Sequence, residues 1–159
     1  MAEASEPRSA PVSDPAPDDT GRRTAVTLGY AGLIPFVAAA GLSWYPPLSA
    51  MASASLLAYA AVILAFLGAV HWGAALHAGR GSSSSRYVCS VLPALTAWPL
   101  LLAPPRYGLP LMALAVFAWW LVERRLIAHL LPAWYLHLRD TLSLVVILSL
   151  IAGWLAASP

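Results

Sequence analysis

Lysine is absent from this chain, and between Thr24 and Gly79 there is no Asp, Glu, Lys or Arg at all. Soluble domains carry about 25% charged residues; here the share is 10%, against 60% hydrophobic. A helix that is apolar on every side is buried or in lipid, so the uncharged run excludes a water-soluble domain. The scarcity is deeper than the percentage suggests. Half of the charges (Glu3, Glu6, Arg8, Asp14, Asp18, Asp19, Arg22 and Arg23) stand ahead of Thr24. The arginines that remain lie between apolar segments rather than clustered on one solvated face, which excludes a nucleic-acid footprint. A single cysteine, Cys89, excludes an internal disulfide and a thiolate metal framework, and reads as a small apolar residue packed in a helix. H-E-x-x-H, G-x-S-x-G, the P-loop and G-x-G-x-x-G are all missing, so no enzyme class is indicated and no cofactor is expected.

What is present reads as an all-α integral membrane bundle of about five transmembrane helices. Residues 1–23 are rich in Pro, Ser, Ala and Asp and read as a disordered polar arm, since they cannot bury enough apolar area to offset ordering entropy. The arm lacks the apolar core of a signal peptide, and its acids argue against a mitochondrial transit peptide. The membrane domain then occupies residues 24–159. A crossing needs roughly 20 apolar residues for about 30 Å of hydrocarbon at 1.5 Å per residue. Trp44-Tyr45-Pro46-Pro47 breaks the uncharged run, because paired prolines stop a helix and the aromatics favour the headgroup level. Spans are expected at about 24–43, 48–76, 87–103, 107–122 and 141–157, with a Gly/Ser loop over 79–86 and a turn at Pro104-Pro105-Arg106. With the amino terminus in the cytoplasm, Arg22, Arg23, Arg80, Arg86, Arg124, Arg125 and Arg139 fall inside and Arg106 alone outside. That is the positive-inside asymmetry, and it puts the carboxy terminus outside. In the second span Ala54, Ala58, Ala61, Ala65 and Gly68 form a small-residue stripe at spacings of three and four, so this helix is expected to be the most buried.

Few polar residues interrupt the apolar pattern. His71 is the only histidine inside an apolar run, about 9 Å deeper than His77. An ionisable residue at such depth is a functional-site candidate. Glu123-Arg124-Arg125 follows the fourth apolar stretch; the arginines can snorkel to the headgroups, but the shorter Glu123 needs a partner, either His71 or an arginine. His71, Trp72, Glu123, Arg124 and Arg125 therefore form the candidate polar cluster. The segment 131–139 mixes apolar, aromatic and basic residues and reads as lying in the inner interface, with Trp134, Tyr135 and Arg139 as anchors. The four histidines (His71, His77, His129 and His137) fall in the cytoplasmic half, but their spacings match no ligand pattern and no metal is expected.

Gly68-Ala69-Val70-His71-Trp72-Gly73, Tyr87-Val88-Cys89-Ser90-Val91-Leu92-Pro93-Ala94-Leu95, Glu123-Arg124-Arg125 and Leu131-Pro132-Ala133-Trp134-Tyr135 with Leu138-Arg139 occur in that order. In these motifs the chain resembles a domain-of-unknown-function family of small multi-pass membrane proteins, mostly proteobacterial and related to mitochondrial transmembrane protein 69. The resemblance covers about 26–155. It implies several membrane helices and supplies no activity, so no catalytic residue can be carried over. Together with the acid-rich arm it favours a bacterial inner membrane. The sequence thus reads as a multi-pass, non-enzymatic helper or interaction protein. Its expected partners are the lipid bilayer and another membrane protein, not nucleic acid. The alternative is a small proton-linked transporter using His71 and Glu123, since His and Glu within a membrane can form a proton relay.

Overall fold

The architecture was obtained as a computed structural model, which describes residues 19–77, 84–126 and 132–157. All regular structure among them is α-helical: α1 (Asp19–Ala31), α2 (Ile34–Leu42), α3 (Ser49–His77), α4 (Ser84–Leu101), α5 (Pro105–Leu126) and α6 (Ala133–Ala156). In lipid each backbone N–H and C=O must be satisfied by the protein itself, so a chain this apolar can cross only as helices or a closed barrel. Four stretches are long and apolar enough to do so: Thr20–Leu42, Ser49–Gly73, Pro105–Arg125 and Ala133–Ala156. The apolar part of α4, Tyr87–Leu101, is shorter and holds Pro93 and Pro99. The molecule is a helical membrane bundle.

α1 and α2 are two halves of one apolar stretch, broken at Gly32-Leu33. Pro35 has no N–H to give to the carbonyl one turn earlier. Leu33 N–H instead closes a tighter turn on the Tyr30 carbonyl at 3.0 Å. From α3, the Tyr59 hydroxyl donates to the Gly32 carbonyl at 3.1 Å, and its ring tilts against Phe36 with centroids 4.8 Å apart. The break is thus braced on α2 and α3. α1 beyond it packs sparsely: Phe36 and Ala40, both in α2, are the buried residues among those described in this stretch.

α3 is the most buried of the four long stretches, as its small-residue content led us to expect. The buried face is not the alanine stripe itself: Ala61 and Gly68 are buried, whereas Ala54 is exposed. Leu56, Leu57, Ala60 and Leu64 share that face and form the core with Phe36, Leu109, Met112, Val116 and Leu150. Leucine fills the space where neighbouring helices stand apart, and glycine serves where one comes close. A Cβ placed on Gly68 would overlap the Ser90 carbonyl oxygen of α4 and press on Pro93, so the two backbones touch there. Close approach of this kind takes the place of the hydrophobic driving force that lipid cannot supply. At the other end Ser43 and Ser53 bond across the α2–α3 corner at 3.3 Å, and Gly153 of α6 lies beside Ser43 and Leu56.

Several helix ends depart from expectation. α1 starts at Asp19, inside the expected arm, because the Arg22 guanidinium lies 5.5 Å from the Trp134 ring centroid and ties this turn to α6. α4 starts at Ser84, within the expected Gly/Ser loop. Ala133–Arg139 is not a separate in-plane segment: it forms the first turns of α6, continuous to Ala156, because its charged residues find partners on α5. α3, by contrast, lies within one residue of the expected span at each end. The rest of the arm (1–18), Arg80, His129 and Leu131 lie outside the described residues.

The Gly68–Ser90 contact yields a test. Replacing Gly68 with Ala should destabilise the bundle by roughly 1–3 kcal/mol, the usual cost of overpacking. Replacing Gly73 with Ala, on the same helix and with nothing within 4 Å of its Cβ, should leave stability unchanged or slightly raised. Denaturant unfolding in detergent micelles, followed by circular dichroism, measures both.

Candidate functional site

The end of the bundle formed by the start of α6, the end of α5 and the last turns of α3 gathers His71, Glu123, Arg124, Arg125, Arg139 and Asp140. α5 delivers Glu123 and α6 delivers Arg139 because the two helices run antiparallel and pack along much of their length. Arg139 donates from Nε to Glu123 Oε2 at 2.8 Å, and its Nη2 lies 2.7 Å from the same oxygen. Arg139 Nη1 donates to the Ser143 hydroxyl, one turn further along α6, at 3.2 Å. Both charged groups are largely buried, with side-chain exposures of 9% for Glu123 and 12% for Arg139. Burying either alone would carry a large desolvation penalty, which only a close partner offsets.

His71 reaches the same carboxylate from α3. Its Nε2 stands 3.6 Å from Glu123 Oε1, too long for a hydrogen bond, and the side chain is 4% exposed. Trp119 packs edge-on against the imidazole with centroids 5.2 Å apart. His71 Nε2 and Trp119 Nε1 are both buried without a hydrogen-bond partner among the described residues. Glu123 therefore faces two cationic or potentially cationic groups, one bound tightly and one at standoff.

A second pair lies beside the first. Arg124 Nη2 is 2.9 Å from Asp140 Oδ2, and Trp120 Nε1 donates to Asp140 Oδ1 at 2.8 Å. The guanidinium also lies over the Trp120 ring, 5.8 Å from its centroid. This pair is half-exposed, so it contributes less than the buried one. Consecutive residues of α5, Glu123 and Arg124, thus meet consecutive residues of α6, Arg139 and Asp140, each with its opposite charge.

The sequence-based cluster is partly assembled. His71 and Glu123 come together. Trp72 turns outward and packs edge-on to Tyr87 with centroids 5.3 Å apart. Arg124 belongs to the neighbouring pair, and Arg125 is exposed. Trp134 and Tyr135 stack edge-on at the start of α6, and His137 is exposed there. Arg139, read as an interfacial anchor, is instead the main partner of Glu123. Trp119, Asp140 and Ser143 were not singled out. Their signal was available: an acid-base dipeptide ending one helix, and a base-acid dipeptide opening the next, pair when the helices are antiparallel neighbours.

Comparison with known proteins follows from this geometry. A family model described as "Protein of unknown function (DUF3429)" matches residues 21–155, which include every helix core and all members of the polar cluster. The chain is similar to Transmembrane protein 69 of Xenopus tropicalis, 34% identical over 145 residues, which cover 86% of this chain and 55% of that protein. The chain therefore spans about half the length of the curated relative it matches. No solved structure matches.

The double contact to Glu123 sets an order of sensitivities. Glu123→Gln and Arg139→Gln should each destabilise the bundle by about 3–5 kcal/mol, because each leaves a buried charge uncompensated. The double variant should cost clearly less than the sum, and a double-mutant cycle measures the coupling. His71→Phe, which removes no hydrogen bond in this arrangement, should cost less than either single change.

Proposed function

The chain belongs to the DUF3429 family of proteins of unknown function, and from that premise we propose that it is a non-enzymatic helper or interaction protein that works by lateral contact within a membrane. The observation that carries this reading is the contrast between the two ends of its packing. The buried charges close on one another, with Glu123 held by Arg139, so the polar cluster acts as a clamp between α5 and α6. The first apolar stretch does the opposite. It packs little against its own bundle and turns Tyr30, Ile34 and Val37 outward along a shallow groove. A face of that kind is available to a neighbouring membrane helix.

The arginine distribution supports an amino terminus in the cytoplasm and five crossings, with α4 as the third, so that the carboxy terminus lies outside. The aromatic side chains agree. Trp44, Tyr45, Trp98 and Tyr107 are exposed near one end of the bundle, and Trp72 near the other. A bacterial inner membrane is the location that best accommodates an acid-rich amino terminus and this charge asymmetry. A proton-linked transporter using His71 and Glu123 gains no support from the geometry, because Glu123 is engaged by Arg139 while His71 Nε2 stands 3.6 Å from it, too far for a hydrogen bond.

The reading is tested in cells by placing a photo-crosslinking residue at Val37, on the outward face, and at Leu150, in the core. Val37 should give a reproducible adduct with one other membrane protein, and Leu150 should give none. Repeated failure to recover any adduct from Val37, Ile34 or Tyr30 would sink the interaction reading. A fusion reporter that places both chain ends on one side would undo the five-crossing arrangement.

A further inference from the structure

Because α1 diverges from the bundle beyond the Gly32-Leu33 break, it leaves a cavity of about 430 Å³ between itself, α3 and α6. The size lies within the roughly 300–1,000 Å³ of small-molecule sites. Its walls are almost wholly apolar, with Phe36, Ala60 and Val116 on the inner side and Ile63, Leu67 and Leu142 along its length. Leu28 and Phe66 stand at the rim and are exposed, so the cavity opens sideways, toward the surrounding hydrocarbon rather than toward water. The polar side chains of the lining are Tyr135, Arg139 and Ser143, all on α6, and the Ser143 hydroxyl is taken up as acceptor by Arg139.

Three features narrow the occupant. The first is length. Along α6 the lining runs from Tyr135 to Val146, about 16 Å at 1.5 Å per residue, which matches the ~15 Å of hydrocarbon in one leaflet. The second is polarity. An occupant lying along the cavity is apolar throughout and meets hydrogen-bonding groups only where Tyr135 and Arg139 stand. Glu123 and Ser143 engage three of the five N–H groups that a guanidinium carries, leaving two for an arriving oxygen. The third is charge. Glu123 compensates Arg139, but Arg22 and Arg23 are exposed on the first turns of α1 at this same end, with Arg22 lying over Trp134. Asp140 faces Trp120 and Arg124 instead, and belongs to the pair on the α5 side.

We propose that the cavity between α1, α3 and α6 binds one acyl chain of an anionic glycerophospholipid, with its phosphate beside Arg22 and Arg23 and its ester oxygens toward Arg139 and Tyr135. The site goes beyond the lateral-partner reading and does not rest on it, because the partner face carries Tyr30, Ile34 and Val37 on the other side of the broken stretch. The occupied cavity completes the packing that the α1–α2 break forfeits.

The experiment uses the full chain in lipid nanodiscs containing phosphatidylglycerol with a diazirine midway along its acyl chain. Illumination and peptide mapping should place adducts on Ile63, Leu67 or Leu142 above all others. Native mass spectrometry should show phosphatidylglycerol retained over phosphatidylcholine. Ile63→Trp and Leu142→Trp, which fill the cavity, should weaken that retention at least fivefold, and R22Q should reduce the preference for the anionic lipid. The wild-type mapping keeps the test decisive even where a filling variant fails to fold. Adducts spread evenly over outward residues such as Leu95, Leu114 and Leu148 would overturn the proposal. So would equal retention of the two lipids, a non-lipid molecule recovered from the cavity, or a second copy of the chain crosslinked across it.

Discussion

The Glu123–Arg139 pair is the interaction on which the polar end of the bundle depends. It joins α5 to α6 where both leave the apolar interior, and its carboxylate is also the group that faces His71 from α3. Three helices are referred to one carboxylate. The pair is stabilising only as a pair. Each partner has been moved out of water, and the attraction between them, with the Ser143 hydroxyl as a further acceptor, offsets that penalty. Packing does the rest: one turn from His71, Gly68 brings α4 into backbone contact, and at the other end of α3 Gly153 brings α6 close to the α2–α3 corner.

Charge and packing therefore divide the labour along the membrane normal. The apolar interior offers no directional preference, since a leucine is as comfortable against lipid as against another leucine. Direction comes from the few groups that are not. Tyr59 bonds the broken backbone at Gly32, Ser43 meets Ser53, and the α5–α6 charges meet each other. Each fixes a place where helices could otherwise slide. The cavity beside α1 is the counterpart of this economy: α1 meets α6 where Gly29 approaches Leu138 and Leu142 and where Arg22 lies over Trp134, and the cavity opens between it and α3.

Much of this could be read in the sequence, and the failures have one cause. The helix of the second apolar stretch, expected over 48–76, runs from Ser49 to His77, because a proline pair and a Gly/Ser loop bound it with no charge between. The last span was placed too late because Arg139 and Asp140 were taken as marks of the water interface. In the fold their charges are answered by Glu123 and Arg124, and the helix begins before them. The fourth apolar stretch likewise ends at Val122 while α5 runs on to Leu126, its charges answered by those of α6. Charge limits a membrane helix only when it is unpaired, and pairing is a property of two segments that no single window contains. The small-residue stripe succeeded at Ala61 and Gly68 and failed at Ala54, because composition shows where a helix can come close and not which neighbour arrives.

The paired dipeptides of α5 and α6 also bear on how the protein is made. Glu123 emerges from the ribosome before either Arg139 or Asp140. Arg124 and Arg125 stand beside it in α5 from the start, but the contacts that hold its buried carboxylate come from α6. The polar end of the bundle therefore closes only when the last helix has been made.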